Sequence, residues 1–182
     1  AGRLSPEKGV MTLLRAMLKV SASSPGVRLL IAGDGPERNN LEKFTGEAGL
    51  QDHVHFMGHL GRAELETALD PVWVQIVPSL WEEPFGIVTI EAMMRGTAVI
   101  ASNHGGGAEC VADGRTGLLF AAGDSEALAD AILRLIGNKA LCETLGAAGR
   151  ERALREYSLG KYATAWEECY GEVLLQHRSA PL

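Results

Sequence analysis

Two glutamates separated by seven residues, Glu83 and Glu91, are the first chemical signal in the chain. Pro84 disfavours helix at the residue before it, so Glu83 belongs to a loop. From about Gly86 the run Ile87-Val88-Thr89-Ile90-Glu91-Ala92-Met93-Met94 reads as helix, with Glu91 in its second turn among apolar neighbours. A carboxylate in such a setting needs hydrogen-bond donors, and a pair of sugar hydroxyls supplies them. An ordinary solvated helix glutamate is the competing reading for Glu91. Only register separates Glu83 from its neighbour Glu82. Arg3 and Lys8 bracket the start of the first helical pattern. Positive charge there opposes the helix dipole, and a phosphate partner would relieve it. A solvated surface pair is the alternative.

These residues need elements to hold them. Short apolar runs at 27–32, 54–57, 74–77, 98–101 and 117–120 alternate with segments of helical period. Val10, Leu13, Leu14, Met17 and Leu18 fall on one helical face, as do Leu128, Ile132, Leu135 and Ile136 after an N-cap at Asp124. Ser5-Pro6 reads as an N-cap with proline at the first helical position, and Pro36 reads similarly. Strands alternating with helices imply a Rossmann-like parallel sheet with helices on both faces, an α/β fold. Ligands in such sheets bind beyond the carboxyl ends of the strands. The turns that follow the runs there are Gly33-Asp34-Gly35-Pro36-Glu37, the segment 78–86 and Ser102-Asn103-His104-Gly105-Gly106-Gly107.

Glycine is high, 22 of 182 residues, and much of the surplus sits on this one rim. Glycine there lets backbone approach a ligand and leaves helix N-termini open to anions. Tight strand-to-helix turns are the plainer alternative for each loop alone. The segment from Asp124 to about 177 reads as mostly helix. Its last helix carries Tyr162, Trp166, Tyr170, Val173 and Leu174 on one stripe, read as core-facing, with a docking surface as the other reading.

Composition narrows the classes. A net charge of −6 and a pI of about 5.4 argue against a broad nucleic-acid footprint. No apolar run approaches the ~20 residues of a membrane span. Three scattered cysteines and five histidines without H-x-x-x-H pairing form no metal pattern. No metal and no cofactor are expected.

Gly2-Arg3-Leu4 with Lys8-Gly9, Gly33-Asp34-Gly35-Pro36-Glu37, Glu83-Pro84-Phe85-Gly86 with Glu91, Gly105-Gly106-x-x-Glu109, and Asp113-Gly114 with Gly117-Leu118-Leu119 occur in that order. This series resembles the C-terminal, donor-binding domain of a retaining GT-B glycosyltransferase, closest to the glycosyl transferases group 1 family, over nearly all of residues 1–182. The resemblance implies a hexosyltransferase half that uses a UDP-, GDP- or ADP-hexose and is inactive alone. It implies that Arg3 and Lys8 neutralise the donor diphosphate. Backbone N–H groups at Phe85, Gly86 and Ile87 would hold the donor sugar and phosphates. Glu83 would accept hexose hydroxyls and Glu91 ribose hydroxyls. Gly33, Gly105, Gly106 and Glu109 would shape the rim, and Met57 to Leu60 would border the nucleobase.

A cytoplasmic setting is implied, with room for peripheral membrane association of the full-length protein. Thr97 stands where the family commonly has proline, and Gly107 enriches the third loop. The start at Ala1-Gly2-Arg3, without Met, is read as a cut before the diphosphate loop. The N-terminal acceptor domain and the first strand of this domain are then expected to be missing. A GT-B-like epimerase or phosphorylase half, or a non-catalytic nucleotide-binding module, are the competing functions.

Overall fold

The structure is a computed structural model that describes residues 1–178. Five parallel strands alternate with helices, as the apolar runs predict. They are β1 (Leu29–Ala32), β2 (Val54–Gly58), β3 (Val74–Val77), β4 (Ala98–Ser102) and β5 (Leu118–Phe120). The helices are α1 (Val10–Ser23), α2 (Arg38–Glu47), α3 (Arg62–Leu69), α4 (Ile87–Arg95), α5 (Gly105–Cys110), α6 (Ser125–Ile136), α7 (Lys139–Glu156) and α8 (Leu159–Arg178). A 3-10 turn, Pro6–Lys8, precedes α1.

The strands form two sheets rather than one. β1 pairs with β2, Leu29 opposite Val54, and β3-β4-β5 form the second sheet, Val74 opposite Ala98 and Ile100 opposite Leu118. Between the open edges of β1 and β3 lies a cavity of about 1080 Å³. Residues 2–4 run along the end of β1, with Gly2 N–H donating to the Ala32 carbonyl and Leu4 N–H to that of Asp34. The same segment reaches the other sheet, because Leu80 N–H donates to the Glu7 carbonyl.

β4 shows why the second sheet is covered on both faces. All five of its residues are buried. Ala98 and Ile100 join a core with Leu13, Met17, Leu128 and Ile132, while Val99 and Ala101 join another with Ile90, Met93 and Ala153. A strand alternates its side chains between faces, so an unbroken apolar run serves two helical layers. α1 packs on α6, and Lys19 of α1 reinforces that contact through Glu126 and Asp130.

Local signals hold unevenly. The Asp124 carboxylate caps α6 by accepting from the N–H groups of Glu126 and Ala127. Ser5 does not cap the turn after it; its hydroxyl donates to Glu7. Pro36 lies in a turn, and α2 starts two residues later. Leu18 is 43% exposed, because α1 buries the narrower stripe Leu13, Leu14, Ala16, Met17 and Val20. The stripe on α8 is not core-facing: Tyr162, Trp166, Tyr170, Val173 and Leu174 are all exposed. Its period reports an apolar face, not what covers it. The Tyr162 and Trp166 rings meet edge-on at 6.1 Å, and those of Trp166 and Tyr170 stand 5.5 Å apart. No helix among those residues is long and apolar enough to cross a membrane.

Candidate functional site

The chain returns to one place after β3 and before α1. Glu83, in the loop between β3 and α4, lies against Lys8, which ends the 3-10 turn. The Lys8 Nζ donates to Glu83 Oε1 at 2.6 Å, and the Ser79 hydroxyl donates to the same oxygen at 2.6 Å. The Glu83 side chain is 13% exposed. Burial pushes its carboxyl up, but Lys8, Ser79 and the Trp81 indole outweigh burial and hold it below its ordinary value. The Lys8 ammonium also sits 5.5 Å from the centre of the Trp81 ring. Arg3, Lys8, Ser79 and Glu83 line the same cavity at the carboxyl ends of β1 and β3. Of the two adjacent glutamates it is Glu83 that lines the cavity; Glu82 is exposed and its side chain makes no hydrogen bond among the described residues.

The site is therefore a carboxylate with its own cation, plus a second cation beside it. Arg3 is exposed. Ser79 and Trp81 were missed by sequence reasoning. The only sequence signal for them is position, just beyond an apolar run and close to Glu83.

The expected glycines occupy the rim. Gly86 starts α4 in the left-handed region, φ 76°, and a Cβ there would stand 2.6 Å from the Gly107 Cα. A Cβ on Gly106 would stand 2.8 Å from the Phe85 Cα, and Gly106 N–H donates to the Glu83 carbonyl at 2.6 Å. A side chain on Gly33 would collide with the Gly2 backbone. The glycines let the rim loops interlock. The Cβ side of Gly33, Gly105 and Gly106 faces other loops, which is why each of these positions takes glycine. Residues 105–106 also belong to a short helix rather than a loop.

At the start of α4 the amides of Ile87 and Val88 precede the first intrahelical bond, which Thr89 N–H makes to the Gly86 carbonyl, and Phe85 beside them is 51% exposed. The loop is braced from behind. Phe85 meets Tyr157 edge-on at 6.1 Å, and Cys110 Sγ donates to the Phe85 carbonyl at 3.6 Å. Arg152 of α7 donates to the Glu109 carbonyl, so Glu109 contributes backbone to this brace while its side chain is exposed.

Glu91, Met57 and Leu60 are not among the residues that line the cavity with Lys8 and Glu83. Glu91 lies in the second turn of α4 as predicted, but it is exposed. Water satisfies its carboxylate, so the argument that it needs a buried donor fails. Met57 and Leu60 line a separate hollow of about 530 Å³ with residues of α3, and share no lining with Lys8 or Glu83. β2 carries them to the outer strand of the first sheet, away from β3.

A family model described as glycosyl transferases group 1 matches residues 1–152. The chain is 38% identical over 169 residues to a phosphatidyl-myo-inositol mannosyltransferase of Mycobacterium leprae, covering 92% of this chain and 44% of that protein. It is similar in structure to a sucrose-phosphate synthase from Thermosynechococcus elongatus (TM-score 0.87, 36% identity, 97% of this chain and 45% of that one). It is also similar to HepE of Anabaena in complex with UDP (TM-score 0.86, 28% identity, 94% and 47%). The chain thus spans a little under half the length of these relatives.

Proposed function

Because the chain belongs to the glycosyl transferases group 1 family, we propose that it is the donor-binding half of a hexosyltransferase that uses a nucleoside diphosphate sugar and retains the anomeric configuration. The observation that carries this reading is the convergence of Arg3, Lys8, Ser79 and Glu83 on one cavity mouth. Transfer requires a nucleoside diphosphate to leave the anomeric carbon, and negative charge grows on that leaving group. Preorganised cations and N–H dipoles aimed at it lower the barrier. Lys8 and Arg3 supply the cations, and the first turn of α4 supplies the dipoles. Glu83 accepts hydroxyls of the transferred hexose, and Glu91, being exposed on the next turns of α4, is free to take ribose hydroxyls. The acceptor belongs to the second domain of the full-length protein, with which this half works in the cytoplasm or against a membrane surface. The UDP complex of the Anabaena relative supports a nucleotide sugar as donor class.

Calorimetry with UDP, GDP and ADP tests the reading. At least one diphosphate is expected to bind weakly, and the double change Arg3→Ala with Lys8→Ala to weaken it by about tenfold or more, while the matching nucleoside is little affected. Absence of binding by all three to a folded sample removes the donor-site reading. Equal loss for diphosphate and nucleoside removes the roles of Arg3 and Lys8.

A further inference from the structure

The Trp81 indole has no ligand-binding part in the reading above, yet it stands against the Lys8–Glu83 pair. It is 44% exposed, while the ring's neighbours are the two groups the site uses most. The Lys8 ammonium stands 5.5 Å from the ring centre, and the same ammonium donates to Glu83 at 2.6 Å. Trp81 is held in place by its own backbone, since its carbonyl accepts from Glu83 N–H at 2.9 Å. A half-exposed indole fixed two residues from a shielded carboxylate is an amphipathic pair. A pyranose is amphipathic in the same sense, with hydroxyls around its edge and a C–H face on the ring. Burying that face on an aromatic ring removes apolar surface from water, while the carboxylate accepts the hydroxyls.

Resting on the donor-site reading, we propose that Trp81 is the residue that reads the transferred sugar: its indole packs on the C–H face of a hexose whose hydroxyls Glu83 accepts, and Lys8 covers both groups until a diphosphate takes it. A diphosphate carries more negative charge than one carboxylate, so it competes well for the ammonium. Drawing Lys8 toward the phosphates uncovers the carboxylate and the indole face together. The sugar contacts then form only when the diphosphate is in place. A free hexose gains little from a site where Lys8 still holds both groups.

The test compares each nucleoside diphosphate with its matching nucleotide hexose, in the unaltered chain, in Trp81→Phe and in Trp81→Ala. In the unaltered chain the nucleotide hexose is expected to bind about three- to tenfold tighter than the diphosphate. Trp81→Ala is expected to bring that ratio close to one while moving the diphosphate affinity itself much less. Trp81→Phe keeps most of the ratio. Indole fluorescence gives a second readout that does not depend on the alanine variant folding. Trp73 precedes β3 at its far end and Trp166 lies on α8, so a fluorescence change specific to the nucleotide hexose is expected to vanish in Trp81→Phe. If diphosphates bind but Trp81→Ala weakens diphosphate and nucleotide hexose equally, or neither, Trp81 does not read the sugar and the donor site still stands. Persistence of the sugar-specific fluorescence change in Trp81→Phe overturns the proposal in the same way. If no diphosphate binds the unaltered chain, the donor-site reading falls and this inference falls with it.

Discussion

Glu83 and Lys8 are the residues on which the site turns, and their pairing carries a pH signature. The carboxyl of Glu83 is held below its ordinary value although burial opposes this, because Lys8, Ser79 and Trp81 favour the charged form. A group whose folded value is depressed contributes stability that is fully present above the unfolded value and is lost as pH falls through the folded one. The melting temperature of the unaltered chain is therefore expected to exceed that of Glu83→Gln near neutral pH. The gap closes as pH is lowered from about 6 to about 3. A gap that stays constant across that range would show that Glu83 is not charged and paired in the folded protein. Glu82→Gln is expected to leave the profile unchanged, since Glu82 is exposed and its side chain makes no hydrogen bond among the described residues. The seven-residue spacing to Glu91 singles out Glu83 over Glu82 in the sequence, but how Glu83 enters the site is set by the fold. It depends on the turn after Ser79, where Glu83 N–H bonds the Trp81 carbonyl.

At the scale of elements, the rim is a set of loops packed through glycine. Gly86 and Gly114 both have positive φ, 76° and 68°, but they differ in surroundings. A Cβ on Gly86 meets the Gly107 Cα at 2.6 Å, whereas one on Gly114 meets nothing within 4 Å. Gly86→Ala combines backbone strain with a clash and is expected to cost about 3 kcal/mol; Gly114→Ala carries strain alone and costs about 1 kcal/mol. Denaturant unfolding of the two variants checks the ranking, and equal costs would mean that the α4 and α5 loops can part without penalty. The sequence located Gly86 on the rim at the carboxyl ends of the strands. It did not say whether the rim glycines face a ligand or one another, since both uses call for the same residue.

At the scale of the molecule, two surfaces among the described residues stand out. The β1 and β3 edges face a shared cavity, so a short apolar strand added ahead of Gly2 is expected to pair with both edges and raise the melting temperature by several degrees, about 5 °C or more. No change on adding such a segment would mean that the two sheets are stable apart. The α8 stripe is the other surface. Ending the chain after Ser158 removes only exposed side chains among the described part of α8, and the melting temperature is expected to move by no more than about 2 °C. A larger loss would show that the helix packs on the body in solution.

The order of apolar runs, the glycine turns behind them and the proline after Glu83 were enough to determine a parallel α/β fold, the rim that carries the site and the loop that holds its carboxylate. These are properties of short stretches, set by side-chain period and by which residues tolerate a tight turn. What the tertiary structure alone decided is which groups meet. Lys8 and Glu83 lie 75 residues apart in the chain, and Ser79 and Trp81 gain meaning only from standing beside that pair. Met57 and Leu60 line a separate hollow because they stand at and just after the end of β2, the outer strand of the other sheet. The α8 stripe stays uncovered although its period resembles that of a core helix. A hydrophobic period records that a face exists; its partner is set by how the strands are ordered in space, which no local stretch encodes.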